Sequence, residues 1–295
     1  MATPFGDLNG HAVGIIMKEM VRRAIEVIRA QRHVFEATEK ETIGKTEDFV
    51  TSADTAAQQV YVQVIRQSFP NFGIIAEEDH LAVPCTHPIL NIYISVDPLD
   101  GTKAFIRRQS HGIGTMLALS INGQVIAAFV GDIMTQEIFG FRPESEHVYR
   151  ISEYGKAERL VVDSTRLLSN QYLLLRDMPT SYTLPVQNLA TPQDLGGLFK
   201  STEVSGGSIG ISMARLWKGE VAAIVLHGTH DTPWDTWPII GISQKMGFVF
   251  MQLTSSGKFE QYEPDIRLQT FHRPYEVLVI HKSRLNDLLR WQQTK

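Results

Sequence analysis

The chain has 295 residues, 43% of them hydrophobic and 20% charged, with a formal net charge of −4. That length is near the upper limit for one core, so one large domain or two lobes are both open, and there is ample apolar material for a packed interior. The slightly acidic balance speaks against a role in coating nucleic acid.

The single cysteine, Cys85, allows no internal disulfide and suits a reducing compartment. The start, MATPFGDLNG, lacks the basic-then-apolar order of a signal peptide. The longest apolar runs, VAAIVL and VIAAFV, have the length of strands and are too short to cross a bilayer. A cytoplasmic protein that engages neither a membrane nor a nucleic-acid polymer is expected.

Apolar residues recur at helical spacing across 10–37, at Val13, Ile16, Met17, Met20, Val21, Ala24, Ile25 and Ile28, with charges on the other face. A polar loop, EATEKETIGKTED, follows at 36–48, and FVT reads as a short strand. Thr51 or Ser52 is the expected N-cap of a helix reaching about Phe69, with Ala56, Ala57, Val60, Tyr61, Val64 and Ile65 facing inward. FPNFG is a turn, IIAEED a strand ending on acid, and LNIYISV the next strand. GTMLALSINGQVIAAFVGD reads as a hairpin about Asn122–Gly123, a dipeptide favoured in tight hairpin turns. EIFGF is a further strand.

From 142 to 205 the pattern is less regular, with RLVVDS and QYLLLRD as strand or helix pieces between Pro/Thr loops. GGSIGISMARLWKG then predicts a glycine-rich turn into a helix, VAAIVLHG a buried strand, WDTWPIIGISQKMG a helix and FVFMQL a strand. The C-terminal YEVLVIHKSRLNDLLRWQQ is strand, then helix. Helices and strands are mixed throughout, with an antiparallel element in the first half.

Four places set acid at the end of an apolar strand or the start of a helix: Asp54, Glu77–Glu78, Asp97 with Asp100, and Asp235. Singly, each has an ordinary reading. A D-x-x-D pair is common, Glu77–Glu78 suits a solvated loop, and Asp54 suits a helix first turn. Together they ask for a counter-charge, because a buried unpaired carboxylate is costly and the usual remedies are a cationic partner or a metal. Hard divalent ions such as Mg²⁺ prefer oxygen ligands. Pro98 stiffens the turn between Asp97 and Asp100, Gly101 permits a tight backbone path, and Thr102 stands where a helix can begin and attract an anion. His227 and His230 lack zinc spacing and read as structural, and SGGSIG is not a dinucleotide fingerprint.

Taken together, these pieces resemble the inositol monophosphatase superfamily of metal-dependent, lithium-sensitive phosphatases, over roughly residues 40–250. The resemblance rests on DFVTSAD (Asp48 to Asp54), AEE (Ala76 to Glu78), DPLDGT (Asp97 to Thr102) and Trp234–Asp235, in that order. It implies an α+β fold, a layered α/β/α/β/α sandwich of the sugar-phosphatase type. The layout it suggests is a single domain over 1–295 with two lobes, about 1–150 with the metal motifs and about 151–295 with the substrate pocket and Asp235. Commonly such proteins are homodimers.

The resemblance also implies two or three Mg²⁺ ions per site. Glu77, Asp97 and the carbonyl of Leu99 would hold one; Asp97, Asp100 and Asp235 a second; a third, weaker ion would share Glu77. Thr102 and Asp54 would activate the attacking water, with Glu77 counted among the catalytic residues, and the N–H groups of Gly101 and Thr102 would hold phosphate. Bound metal lowers the pKa of its water and neutralises charge on phosphate, which suits such a set.

Two departures stand out. Ala76 replaces the family's usual glycine, and Trp237 with Pro238 follows Asp235 where small residues are common, which is expected to crowd Asp235. DGTKAFIRR resembles the versions in bisphosphate nucleotidases and histidinol-phosphate phosphatases more than the DGTTNF of inositol monophosphatases. Arg107 and Arg108 either meet a second phosphate or form a solvated helix end. Lys103 and Ser208 are further candidates for substrate contact. The expected activity is hydrolysis of a small phosphorylated metabolite resembling inositol monophosphate. The alternatives are a 3′(2′),5′-bisphosphate nucleotidase, a histidinol-phosphate phosphatase, or a non-catalytic relative that binds a phosphorylated metabolite.

Overall fold

The computed structural model describes residues 4–40 and 49–294. Most of the expected polar loop, including Asp48 of DFVTSAD, lies outside the described residues. The helices are α1 (Gly10–Gln31), α2 (Ser52–Ser68), α3 (Thr102–Ile106), α4 (Leu184–Leu189), α5 (Ile209–Trp217), α6 (Pro233–Met246) and α7 (Leu285–Gln293). No described helix is long and apolar enough to cross a membrane.

α1 opens on Asn9, whose side chain accepts from Ala12 N at 2.8 Å, and buries Val13, Met17, Met20, Val21, Ala24, Ile25 and Ile28. It ends at Gln31, short of the expected residue 37, because Ala37–Glu39 pairs with Phe49–Thr51 as a two-stranded antiparallel ribbon. That stretch is therefore strand and not loop. α2 starts as the sequence predicts. Thr51 is its N-cap, and the Asp54 carboxylate reaches back to the Thr51 N–H, completing a capping box.

The larger sheet has eight strands, in the order 157–159, 149–151, 138–141, 124–132, 114–121, 92–100, 73–76 and 82–83. Its pairs are antiparallel except for 73–76 beside 92–100, which run parallel. The 114–121/124–132 hairpin turns at Asn122 (φ 52°) and Gly123 (φ 78°), the left-handed pair that a tight primed turn needs. The second sheet has six strands, in the order 201–204, 172–175, 223–226, 277–281, 248–253 and 259–262. The first three are parallel to one another, and the rest add antiparallel. The irregular stretch 142–205 thus supplies two parallel strands of this sheet.

Side-chain alternation sets the layers. Along 114–121, Leu117 and Leu119 join the cluster under α1 and α2, whereas Met116 and Ala118 face the other way. Along 277–281, Val277 and Val279 face that same middle cluster, whereas Leu278 and Ile280 meet α4 and α7 through Val186, Leu189 and Leu288. Met213, Leu216 and Trp217 of α5 and Ile239, Ile240 and Ile242 of α6 fill the space between the sheets. The result is an α/β/α/β/α sandwich. Each fully buried Leu, Ile or Met contributes about 1.5–3 kcal/mol, so the three apolar clusters, more than helix propensity, hold the layers together.

Candidate active site

Asp97 and Asp100 are three residues apart on one strand, so regular pleating would aim them at opposite faces of the sheet. The strand 92–100 is not regular there. Asp97 pairs with Met116 and Asp100 with Gly114, so three steps on one strand match two on its neighbour. This one-residue bulge restores the parity and turns both carboxylates the same way. α6 adds the third acid. Asp235 sits in its first turn, with the Thr232 hydroxyl donating to its carboxylate at 2.7 Å. One oxygen from each of Asp97, Asp100 and Asp235 lies within 4.8 Å of the others.

Glu77 arrives beside Asp97 because its strand runs parallel to 92–100, with Ala76 opposite Val96 and the Glu77 N–H donating to Val96 O at 3.2 Å. Lys40 reaches from the ribbon and bridges Glu77 (3.1 Å) and Glu78 (3.0 Å). Gln58 of α2 clamps the Glu78 backbone on both sides, at 2.9 and 3.0 Å. Behind Asp97, the Thr115 hydroxyl donates to its carbonyl at 3.2 Å and contacts Tyr61 Oη at 2.7 Å.

The N-terminus of α2 brings in Asp54, fully buried. One of its oxygens takes the Thr51 hydroxyl (2.5 Å) and N–H (2.8 Å); the other faces the Thr102 hydroxyl at 3.2 Å. The same hydroxyl lies 3.1 Å from Leu99 O, so Thr102 is held between a carboxylate and a carbonyl. Thr102 begins α3, where the first N–H groups have no partner within the helix. Gly101 precedes it with φ 92°, and a Cβ there would lie 2.5 Å from Gly112 O and 2.8 Å from Ser208 N. Only glycine fits that crossing.

Asp100 is also tied to α5. It accepts the Ser208 hydroxyl and the N–H groups of Ile209 (3.0 Å) and Gly210 (2.7 Å). Ser208 is fully buried and caps α5 by accepting from Ile211 N at 2.9 Å. Its side chain therefore acts on Asp100 and the helix end. Arg176 stands close by, donating from Nη2 to Gly207 O.

Electrostatically the cluster is under strain from like charge. Burial, then the charges of Glu77, Asp100 and Asp235, push Asp97 well above the usual carboxylate range. Burial and Asp235 push Asp100 up to about 6, against the pull of Ser208, Arg176 and Gly210. Burial pushes Glu77 up to about 8; Lys40 opposes this, and Glu78 and Asp235 add to it. Asp54 and Asp235 are raised too, chiefly by burial. Burial alone would lower Lys40, but Glu77 and Glu78 outweigh it and raise its pKa. A divalent cation fits this set. Every donor is an oxygen, the charge is in excess, and Asp97 Oδ1 is buried with no hydrogen-bond partner.

Of the residues singled out from the sequence, Asp54, Glu77, Asp97, Leu99, Asp100, Gly101, Thr102 and Asp235 come together here. Arg107 and Arg108 are exposed at the end of α3, and Lys103 is part-exposed in its first turn. Trp237 does not crowd Asp235. Two residues along a helix is a rotation of about 200°, and the Trp237 indole is buried between the sheets, donating to Arg267 O at 3.0 Å. Sequence reasoning missed Lys40 and Arg176, which lie in EATEKETIGKTED and QYLLLRD, stretches read only as loop and as strand or helix, and which are brought in by the ribbon and by the second sheet.

Comparison with known proteins agrees with the geometry. The sequence pattern of the inositol monophosphatase family matches residues 11–284. The chain is 35% identical over 129 residues to the Nus factor SuhB of Salmonella typhimurium (strain LT2), covering 44% of this chain and 46% of that protein. It is 33% identical over 129 residues to the Nus factor SuhB of Escherichia coli (strain K12), with the same coverage. The chain thus spans about half the length of the curated relatives it matches. Among solved structures it is similar to the suppressor protein SuhB of Bartonella henselae, with TM-score 0.73 and 17% identity over 95% of this chain and 98% of that one. An IMPase/NADP phosphatase solved with NADP and Ca²⁺ superposes with TM-score 0.72 and 19% identity, over 97% and 96% of the two chains. The Thermotoga maritima IMPase gives 0.69 and 18% over 94% and 95%. Those likenesses establish the fold, and the match across nearly the whole sequence settles the grouping: this chain belongs to the inositol monophosphatase family, within a superfamily of phosphatases.

Proposed function

We propose that the protein is a Mg²⁺-dependent phosphomonoesterase acting on a small phosphorylated metabolite. The observation that carries this reading is the acid cluster itself. Asp97, Asp100 and Asp235 converge around an unpartnered buried oxygen of Asp97, and Asp100 lies two residues before the start of α3. These three, with Glu77 and the Leu99 carbonyl, would hold the metal. When bound, Mg²⁺ would supply Lewis-acid polarisation and charge neutralisation for phosphate.

The remaining work falls to this chain's own groups. The Thr102 hydroxyl, held by Asp54 at 3.2 Å, orients a water against the phosphorus and passes its proton towards the Asp54 carboxylate. The raised pKa of Asp54, set by burial, suits a proton acceptor. The free N–H groups at Gly101 and the first turn of α3 hold phosphate oxygens. The N-terminal ends of α2, α5 and α6 also point at the site through Asp54, Asp100 and Asp235, adding positive potential where the phosphate would lie. Lithium inhibition is part of the proposal, on the strength of the family resemblance.

A non-catalytic phosphometabolite-binding protein is the competing reading. It has no need of a Thr102–Asp54 pair beside a complete acid set, and both are present. The test is phosphate release from an aryl phosphate by metal-stripped protein, with and without added Mg²⁺. A parallel screen uses inositol 1-phosphate, adenosine 3′,5′-bisphosphate, histidinol phosphate and fructose 1,6-bisphosphate. Mg²⁺-dependent turnover is expected. Full activity in excess EDTA, or no turnover of any ester with Mg²⁺, overturns the reading.

A further inference from the structure

The second sheet delivers a cation to this site from a side that no motif marks. Strand 172–175 runs parallel to 201–204 and 223–226, with Leu175 opposite Val204 and Val225. Arg176, Ser205 and His227 therefore emerge at the same carboxyl-terminal edge, the side of parallel strands where ligands bind. The Arg176 side chain crosses to Gly207, and the next residue, Ser208, donates to Asp100. The guanidinium thus stands one residue from the point where Asp100 is anchored.

Arg176 is held ready but its donors are not used up. Its N–H donates to Tyr182 Oη at 3.0 Å, and the Tyr182 ring stacks on His227 with centroids 3.7 Å apart and planes 12° from parallel. Asp177, the nearest acid in sequence, is taken by His227 Nε2 at 3.3 Å. Arg176 Nε is buried with no hydrogen-bond partner. Arg176 and Lys40 flank the acids from different sides. Lys40 acts on Glu77, Glu78 and Asp54, whereas Arg176 acts on Asp100 and Asp235. With the attacked phosphate on α3 and Thr102, as proposed above, a leaving group extending past Asp100 would meet Arg176.

We propose that Arg176 is a specificity-determining residue that grips a second anionic group on the leaving group, so that the preferred substrates are phosphate esters bearing another phosphate or carboxylate. The proposal rests on the phosphatase reading above. A guanidinium is suited to the task, because its planar fork matches phosphate and carboxylate oxygens and stays charged at any working pH.

The test compares wild type with Arg176→Met and Arg176→Lys on two substrate classes. One is 4-nitrophenyl phosphate, which has no second anion; the other is adenosine 3′,5′-bisphosphate and fructose 1,6-bisphosphate. Removing a charge-assisted hydrogen bond should raise KM for the bisphosphates about 10–100-fold. The Met variant also withdraws a cation from Asp100 and Asp235, which lowers kcat for both classes alike. The discriminating readout is therefore KM, which for the aryl phosphate should stay within about 3-fold of wild type. The Lys variant should recover part of the bisphosphate affinity. Unchanged melting temperatures would show that the variants fold. An equal rise in KM for both substrate classes, or a fall confined to kcat, would make Arg176 a tuner of the acids only and overturn the proposal, as would a wild type indifferent to the second anion. If wild type hydrolyses neither class, the phosphatase reading fails separately. Calorimetric titration with adenosine 3′,5′-bisphosphate then decides the Arg176 question, equal affinity in wild type and Met variant refuting it.

Discussion

Replacing Asp100 by asparagine separates its two jobs, anchoring α5 and contributing to the acid cluster. In the metal-free protein the Asp100 carboxyl is pushed from 3.8 to about 6, first by burial and then by the charge of Asp235. That displacement corresponds to about 3 kcal/mol. Because the folded value lies above the unfolded one, this stability is present below pH 3.8 and is lost as pH rises through about 6. The substituted asparagine carries no charge and escapes that loss. It has one acceptor oxygen, however, against the Ser208 hydroxyl and the N–H groups of Ile209 and Gly210. Its NH₂ must face a donor, at a cost of about 1–3 kcal/mol. The two effects nearly offset at neutral pH, so the difference shows in the pH dependence.

Melting curves in EDTA at about pH 4.5 and about pH 7.5 read it out. At roughly 2 °C per kcal/mol for a chain of this length, and with about a third of the ~3 kcal/mol already lost at pH 4.5, wild type should lose about 4 °C more than Asp100→Asn between the two. Added Mg²⁺ should then raise the wild-type melting temperature more than the variant's, since stabilisation follows affinity. Turnover should fall by orders of magnitude. Parallel pH slopes together with equal Mg²⁺ gains would refute the reasoning, and an unaltered kcat would remove Asp100 from the metal site.

Three further outcomes are expected. Thr102→Ala should lower kcat roughly 10²–10⁴-fold with little change in KM, because the hydroxyl that Asp54 holds is lost while the backbone donors of α3 remain; steady-state kinetics near wild type would reject its role. Lys40→Met takes the cation away from the Glu77 carboxylate and should cost about 3–5 kcal/mol of metal-free stability at alkaline pH. Glu77 already titrates near 8, so that cost should shrink as pH falls and the carboxyl is protonated; a penalty independent of pH would contradict the pairing. Gly101→Ala should lose at least about 1–3 kcal/mol from left-handed strain, and more from the contact at 2.5 Å with Gly112 O, with activity lost as α3 shifts; a wild-type melting temperature would contradict the close crossing.

The sequence by itself determined the parts of this protein whose cause is local. The stripe from Val13 to Ile28 made α1, Thr51 with Asp54 capped α2, and Asn122–Gly123 turned the hairpin, each because neighbouring residues suffice to stabilise it. The order of the acid motifs also named the family, since DPLDGT and the later Trp234–Asp235 are contiguous signals. What tertiary structure decided were the matters of partner and direction. Ala37–Glu39 became strand only because Phe49–Thr51 lies beside it. The two aspartates of DPLDGT face one way only because of a bulge against Gly114 and Met116, and nothing in their own spacing reports it. Trp237, which in one dimension stands next to Asp235, is turned into the core by the helix. Lys40 and Arg176 carry no motif; they matter because a ribbon and a second sheet bring them to the acids across 37 and 59 positions of chain, from Glu77 and Asp235 respectively. Charge acts through space with no regard for sequence separation, so the cations that balance a cluster become visible only once the chain has folded.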